Sequence, residues 1–207
     1  MRPALIVIAK EPLPGRCKTR LAPQLSHDGA ARLAEAALAD TLAAAAGCDA
    51  GRRVLALDGR PGPWLPAGFE LLHQRGDGLD QRLASAFVDV GDPALLIGMD
   101  TPQVTPALLS HALDRLSAPG VDAVLGPAVD GGYWAIGLHR PRRHFIEGVP
   151  MSTSGTFSAQ LARLRHCDVR VELLPRLRDV DLIDDARAVA RLAPRSRFAG
   201  TLAELVA

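Results

Sequence analysis

The run Ala4-Leu5-Ile6-Val7-Ile8-Ala9 passes directly into Lys10-Glu11-Pro12-Leu13-Pro14-Gly15-Arg16-Cys17-Lys18-Thr19-Arg20-Leu21-Ala22-Pro23. Six consecutive apolar residues, β-branched at Ile6, Val7 and Ile8, read as a strand buried on both faces, the pattern of a parallel-sheet interior. The second stretch carries three prolines, a glycine and four basic side chains, and reads as a loop. A buried strand opening onto a glycine-containing cationic loop predicts an α/β fold whose ligands gather at the strands' carboxyl ends.

The rest of the chain extends this pattern. Ser26 or Asp28 is positioned to cap an Ala/Leu-rich helix reaching about residue 46, where Gly47 ends it. Strands are predicted at 53–57, 69–73, 94–98, 121–125, 133–138 and 169–174. Helices are predicted at 78–90, from the Thr105 cap and Pro106 to about 116, near 154–166, and at about 184–192 and 200–206. Alternating strands and helices imply a mainly parallel sheet, with room for an antiparallel element in the second half. No repeat or linker divides the chain, so residues 1–207 are predicted to form one domain.

Composition narrows the function. The 207 residues carry 24 Lys plus Arg against 23 Asp plus Glu, a net charge of +1. That balance provides no global field for nucleic acid. Charged residues at 23% and apolar residues at 48% are globular values and argue against disorder. Cys17, Cys48 and Cys167 are too scattered for a zinc site or a disulfide framework. Residues 4–9 are too short for a signal-peptide core and are cut off by Lys10-Glu11, and no apolar run reaches membrane-spanning length. A cytoplasmic protein without membrane insertion is the expectation. Of the 24 basic residues only Lys10 and Lys18 are lysine. Both lie in the loop after the first strand, where a compact ammonium has uses that a planar guanidinium does not.

Candidate site residues cluster at strand ends. Lys10, Gly15, Arg16, Lys18, Thr19 and Arg20 suit a di- or triphosphate, although the loop is no Walker A sequence and reads equally as a solvated basic loop. Asp100, in Gly98-Met99-Asp100-Thr101-Pro102, faces that loop, which makes sense if a magnesium ion lies between carboxylate and phosphates. The alternative for Asp100 is a turn aspartate ahead of Thr101-Pro102. Asp179-Val180-Asp181 is a second carboxylate pair. Asp130-Gly131-Gly132-Tyr133 is a turn between two strands whose glycines would let a substrate approach. Gln74 and Asp77, after the third strand, suit a base or ribose, and Ser152 and Thr153 read as a helix cap. Arg140, Arg142, Arg143 and His144 read either as a solvated basic loop or as contacts for an anionic acceptor. A GxSxG elbow and a GxGxxG fingerprint are both missing, which disfavours serine hydrolases and nicotinamide enzymes.

Taken in order, AKEPLPGRCKTRLAP (9–23), QRGDGLDQRL (74–83), GMDTPQV (98–104), GPAVDGGYWAIGL (126–138), MSTSGTFSAQL (151–161) and DVDLIDD (179–185) resemble one family. It comprises the small glycosyltransferase-like proteins of the nucleotide-diphospho-sugar transferase superfamily, of the radical-SAM- or selenodomain-associated and arsenosugar-biosynthesis types. The resemblance runs from residue 4 to about 190. More distantly the chain is similar to phospholactate or phosphoenolpyruvate guanylyltransferases and molybdopterin guanylyltransferases. The resemblance implies a Rossmann-like glycosyltransferase A-type mixed sheet flanked by helices. It implies that Lys18 and Arg20 hold donor phosphates, with Gly15 shaping the loop, and that Asp100 and Asp181 hold Mg²⁺ or Mn²⁺. Asp130, Gly131 and Gly132 would border an acceptor pocket with Tyr133, Ser152 and Thr153, and Lys18, Asp100 and Asp130 would be catalytic. Met151 departs from the family's usual tryptophan, and Leu182-Ile183 from its Thr-Pro, both on the acceptor side. The implied activity is metal-dependent glycosyl transfer from a nucleotide-diphospho-sugar to a small acceptor. Nucleotidyl transfer, from a nucleoside triphosphate to a phosphorylated small molecule with release of pyrophosphate, is the alternative, and an inactive nucleotide-binding protein a third reading. Donor base, acceptor and oligomeric state stay open at this point.

Overall fold

The computed structural model describes residues 2–91 and 93–207. Strand β1 (Ala4–Lys10) leads through the cationic loop and a 3₁₀ turn (Thr19–Leu21) to helix α1 (Ala22–Ala46). Then follow β2 (Arg53–Asp58), β3 (Glu70–His73), α2 (Leu79–Val90), β4 (Ala94–Gly98) and α3 (Pro106–Leu116). The second half runs β5 (Ala123–Pro127), β6 (Tyr133–Leu138), α4 (Thr156–His166), β7 (Val171–Leu173), α5 (Ile183–Leu192) and α6 (Arg197–Val206). The seven strands form one sheet in the order β3-β2-β1-β4-β6-β5-β7.

β1 lies between β2 and β4 and is parallel to both, with Ile6 opposite Val54 and Leu96. This is the central, doubly covered position expected of residues 4–9. β4 is also interior, but only one neighbour is parallel: β6 runs antiparallel to it and to β5. The expected antiparallel element is therefore the β5–β6 pair, with Asp130 in the turn between them, and β7 returns parallel to β5.

Period-two alternation divides the strand side chains between two layers. Leu5, Val7, Leu55, Leu95 and Ile97 meet Leu38 and Leu42 of α1 and Leu109 and Leu113 of α3. Ile6, Val54, Leu96 and Ile136 meet Leu83 and Phe87 of α2 and Leu164 of α4. A third cluster packs α5 and α6 onto α1 through Val189, Phe198, Leu202 and Leu33. Among the described residues no helix is long and apolar enough to cross a membrane.

α1 begins earlier than its cap signal implies. A helical turn at Ala22–Leu25 is set off by Ser26, which has φ 63° and ψ 168°. The Ser26 hydroxyl accepts from the Gly29 amide at 3.1 Å, so it does cap the helix proper, as expected. Thr105 likewise caps α3, accepting from the Leu108 amide at 3.1 Å.

Candidate active site

A cavity of about 790 Å³ opens where the carboxyl ends of β1 and β4 meet the β5–β6 turn. Lys10, Arg16, Lys18, Thr19, Arg20, Gln74, Asp77, Asp100, Asp130, Gly132, Tyr133, Ser152, Thr153 and Asp181 all line it. Gly15 and Gly131 stand behind this lining and shape it. Gly15 turns the loop at φ 73°. Gly131, at φ 93°, lies so close to Ser154 that a Cβ would overlap the Ser154 carbonyl oxygen, and its own carbonyl accepts from the Phe157 amide at 2.9 Å. The Asp130 turn and the start of α4 are thereby clamped together.

At the centre lies Lys18, whose side chain is only 10% exposed. Its ammonium lies 2.6 Å from Asp100 Oδ1 and 3.3 Å from Asp181 Oδ1, and donates to the Val180 carbonyl. Arg20 Nη1 reaches Asp181 Oδ2 at 3.1 Å. Burial pulls the Lys18 pKa down, but Asp100 and Asp181 more than offset this, and the net shift is upward. Lys18 is thus a buried, firmly charged cation. The loop segment Asp179–Asp181, ahead of α5, is brought to it by the Val180 amide, which donates to the Asp100 carbonyl at 2.9 Å.

Asp100 and Asp181, the expected metal ligands, both contact the Lys18 ammonium. Both carboxylates close on Lys18, because the ammonium is the nearest counter-charge in the cavity. The oxygens that converge with Asp181 belong to Asp130 and Asp179, all within 4.8 Å of one another. Burial, then the charge of Asp130, then that of Asp181, raise the Asp179 carboxyl to about 6, while Lys18 acts in the opposite sense. Three crowded carboxylates, one held out of its ordinary range, form a hard-oxygen set suited to a divalent cation.

Other predicted residues have more local roles. The Gln74 amide nitrogen donates to the carbonyls of Ala9 (2.7 Å) and Ala56 (2.9 Å), so it ties β1 and β2 together. The Asp77 amide donates to Gln81 Oε1 at 3.0 Å, and its carboxylate is exposed at the cavity rim. The Tyr133 hydroxyl donates to Met151 Sδ at 3.7 Å, and burial pushes this phenol above its ordinary range. Ser152 and Thr153 do not cap α4 as expected, because the N-cap is Gly155 and no side chain caps it; the Thr153 hydroxyl instead accepts from the Gly155 amide at 3.2 Å, and its amide donates to Thr156 Oγ1 at 3.1 Å. Ser152 is exposed beside it with φ 58°.

The structure does not bring Arg140, Arg142 and Arg143 to this cavity. They line a separate depression of about 640 Å³ with Phe87, Gly91 and Pro93, near the opposite end of β4, where Ala94 pairs with Leu138. β6 runs away from the Asp130 turn, so residues that follow it closely in sequence end up a strand's length from the acceptor side.

One contributor, Thr101, escaped the sequence reading, and a second was read only as part of a pair. Asp179 was legible only as half of a D-x-D, and nothing local distinguishes it from a helix-capping acid. Thr101 is 2% exposed, lines the cavity, and its Oγ1 has no hydrogen-bond partner among the described residues. Its only sequence signal was its place after Asp100.

Fold and cavity together define a nucleotide-diphospho-sugar transferase-like protein, with cations and carboxylates facing each other at the strand ends. The chain belongs to the family described as "Uncharacterized protein conserved in bacteria (DUF2064)", whose profile matches residues 29–153. A candidate nucleotide-diphospho-sugar transferase from Desulfovibrio desulfuricans G20 is similar over 99% of this chain and 96% of its own, at 27% identity and a TM-score of 0.87. Two more distant structures share the fold. CMP:2-keto-3-deoxy-manno-octonic acid synthetase complexed with CTP matches at 12% identity and a TM-score of 0.59, covering 94% of this chain and 99% of that one. A manganese complex of Rv0371c from Mycobacterium tuberculosis H37Rv matches at 20% identity and a TM-score of 0.53, over 92% and 98%. No curated protein matches the chain.

Proposed function

We propose that the protein is a metal-dependent transferase that moves a glycosyl group from a nucleotide-diphospho-sugar to a small acceptor. The observation that carries this reading is the single cavity in which loop 10–20 and the Asp100, Asp130, Asp179 and Asp181 carboxylates face one another. A cationic loop suits a diphosphate, and facing carboxylates call for a cation between the two. The name borne by the similar Desulfovibrio protein supports the same class.

Lys10 and Arg16 carry no side-chain partner among the described residues and are available to phosphate oxygens. Gln74 and Asp77 line the same cavity and would meet base or ribose. Asp130, Asp179 and Asp181 would hold Mg²⁺ or Mn²⁺, which would stabilise charge on the departing diphosphate. Asp130 sits at the tip of its turn, with the Gly132 amide donating to Oδ1 at 2.7 Å, and thereby orients an acceptor hydroxyl toward the donor. Tyr133, Met151, Ser152 and Thr153 form the wall behind that acceptor.

The test is product analysis with nucleotide sugars and nucleoside triphosphates, each with Mg²⁺ or Mn²⁺. A nucleoside diphosphate released from a nucleotide sugar is the expected product. Pyrophosphate released from a triphosphate with a phosphorylated acceptor, and no diphosphate from any nucleotide sugar, would replace this reading with nucleotidyl transfer.

A further inference from the structure

Both oxygens of Asp181 are already in use. Lys18 lies 3.3 Å from Oδ1 and Arg20 lies 3.1 Å from Oδ2. The Lys18 ammonium has an oxygen shell of its own, made by Asp100 at 2.6 Å, Asp181 and the Val180 carbonyl. Yet Asp181 is also the carboxylate that converges with Asp130 and Asp179. A divalent ion entering that triad must take charge density from an acid that two protein cations already neutralise.

We propose that Lys18 and Arg20 are resident counter-ions of Asp181, which a divalent cation must displace, so that cation and donor phosphates are taken up together. The inference rests on the metal-dependent reading above. Displaced alone, the buried Lys18 ammonium would keep Asp100 but lose its second carboxylate, and the incoming cation would meet its positive charge at close range, which makes cation entry costly. A diphosphate in the same cavity provides that counter-charge. Metal and phosphate therefore favour each other's binding, and by linkage the coupling is the same in either direction. Arg20, 72% exposed and tied among the described residues only to Asp181, becomes a positioning residue for cation uptake as well as a phosphate contact.

The test is Mn²⁺ binding without nucleotide, followed by electron paramagnetic resonance, in the wild type, Arg20→Gln, Lys18→Met and Arg16→Gln. Arg20→Gln and Lys18→Met should each bind Mn²⁺ at least about fivefold tighter than the wild type, at the lower end of typical coupling strengths. Arg16→Gln removes a cavity charge that holds no carboxylate, and its affinity should stay within about twofold of the wild type, as expected for a solvent-screened charge. The chain has only two lysines, so amine acylation read by mass spectrometry compares them in one molecule. Saturating Mn²⁺ should raise Lys18 labelling relative to Lys10. Unchanged Mn²⁺ affinity in Arg20→Gln, or unchanged Lys18 labelling, would overturn the exchange while leaving metal dependence standing. No Mn²⁺ binding by any of these proteins, with or without a nucleotide sugar, would remove the metal-dependent reading and the inference with it.

Discussion

At Lys18 one ammonium meets Asp100, Asp181 and the Val180 carbonyl, so each of these carboxylates has a role that can be tested singly. Asp100→Asn keeps the shape but removes the closest counter-charge of Lys18. The fold should persist, and affinity for a nucleoside diphosphate with Mg²⁺ should fall about tenfold, the scale at which outer-shell partners of a metal site act. Wild-type affinity by isothermal titration would reduce Asp100 to a turn residue. Asp181→Asn strikes both the cation triad and the Lys18 and Arg20 contacts. Turnover should fall by about 10² to 10³, the usual cost of losing one preorganised group that stabilises developing charge, and Mn²⁺ binding should vanish in the same variant. Most of these residues were legible from their place after apolar strands. Asp179 was legible only as half of a carboxylate pair, because what sets its carboxyl apart is burial and the charge of Asp130, nearly 50 residues away in the chain.

Among the elements, the β5–β6 turn and the edge strand β7 make the clearest predictions. Gly131 has φ 93° and its α-carbon faces the Ser154 carbonyl. Gly131→Ala should therefore destabilise the protein by about 1–3 kcal/mol, the cost of a strained left-handed residue. It should also lower activity more than Gly132→Ala, whose nearest contact is the movable Asp130 side chain. Thermal melts and initial rates check both points. β7 is fastened to β5 by Arg170, whose Nε and Nη2 donate to Asp122 at 2.6 and 3.0 Å. That pair holds the Asp122 carboxyl down to about 2. A depressed carboxylate pKa contributes stability that is complete above the ordinary value near 4 and is lost as pH falls toward 2. Asp122→Asn should accordingly melt lower than the wild type at pH 7, with the difference closing as pH drops to 2. The pair is exposed, so the difference should be small. Turn chemistry at Asp130-Gly131-Gly132 was readable as a hairpin signal, whereas the partnership of Asp122 with Arg170 was not, since neither residue carries a local mark of it.

Across the whole molecule, α1 links two clusters: its Leu38 and Leu42 pack on the sheet, while Leu33 and Ala37 receive α5 and α6. Phe198 is fully buried in the second of these. Phe198→Ala should cost about 3–5 kcal/mol, as for large aromatic deletions elsewhere, measured by denaturant unfolding. Donor affinity at a temperature where the variant stays folded should match the wild type, because Phe198 itself lines no part of the cavity. A large loss of affinity in the folded variant would show that α5 and α6 help to shape the site.

The apolar strand 4–9, its cationic loop, the second buried strand ending at Asp100 and the Asp130 turn were all local signals. Their physics is local as well: burial sets strand composition, and turns demand glycine. Those signals were enough to give an α/β sheet with a cationic loop and carboxylates gathered at its strand ends. The placement of β6 between β4 and β5, the removal of Arg140, Arg142 and Arg143 to the far end, and the capture of Asp100 by Lys18 came from the assembled fold. Each depends on which distant segments become neighbours when the two faces of the sheet are buried. Coulombic pairing acts through space, so which acid a cation chooses is settled only once that burial has set the distances.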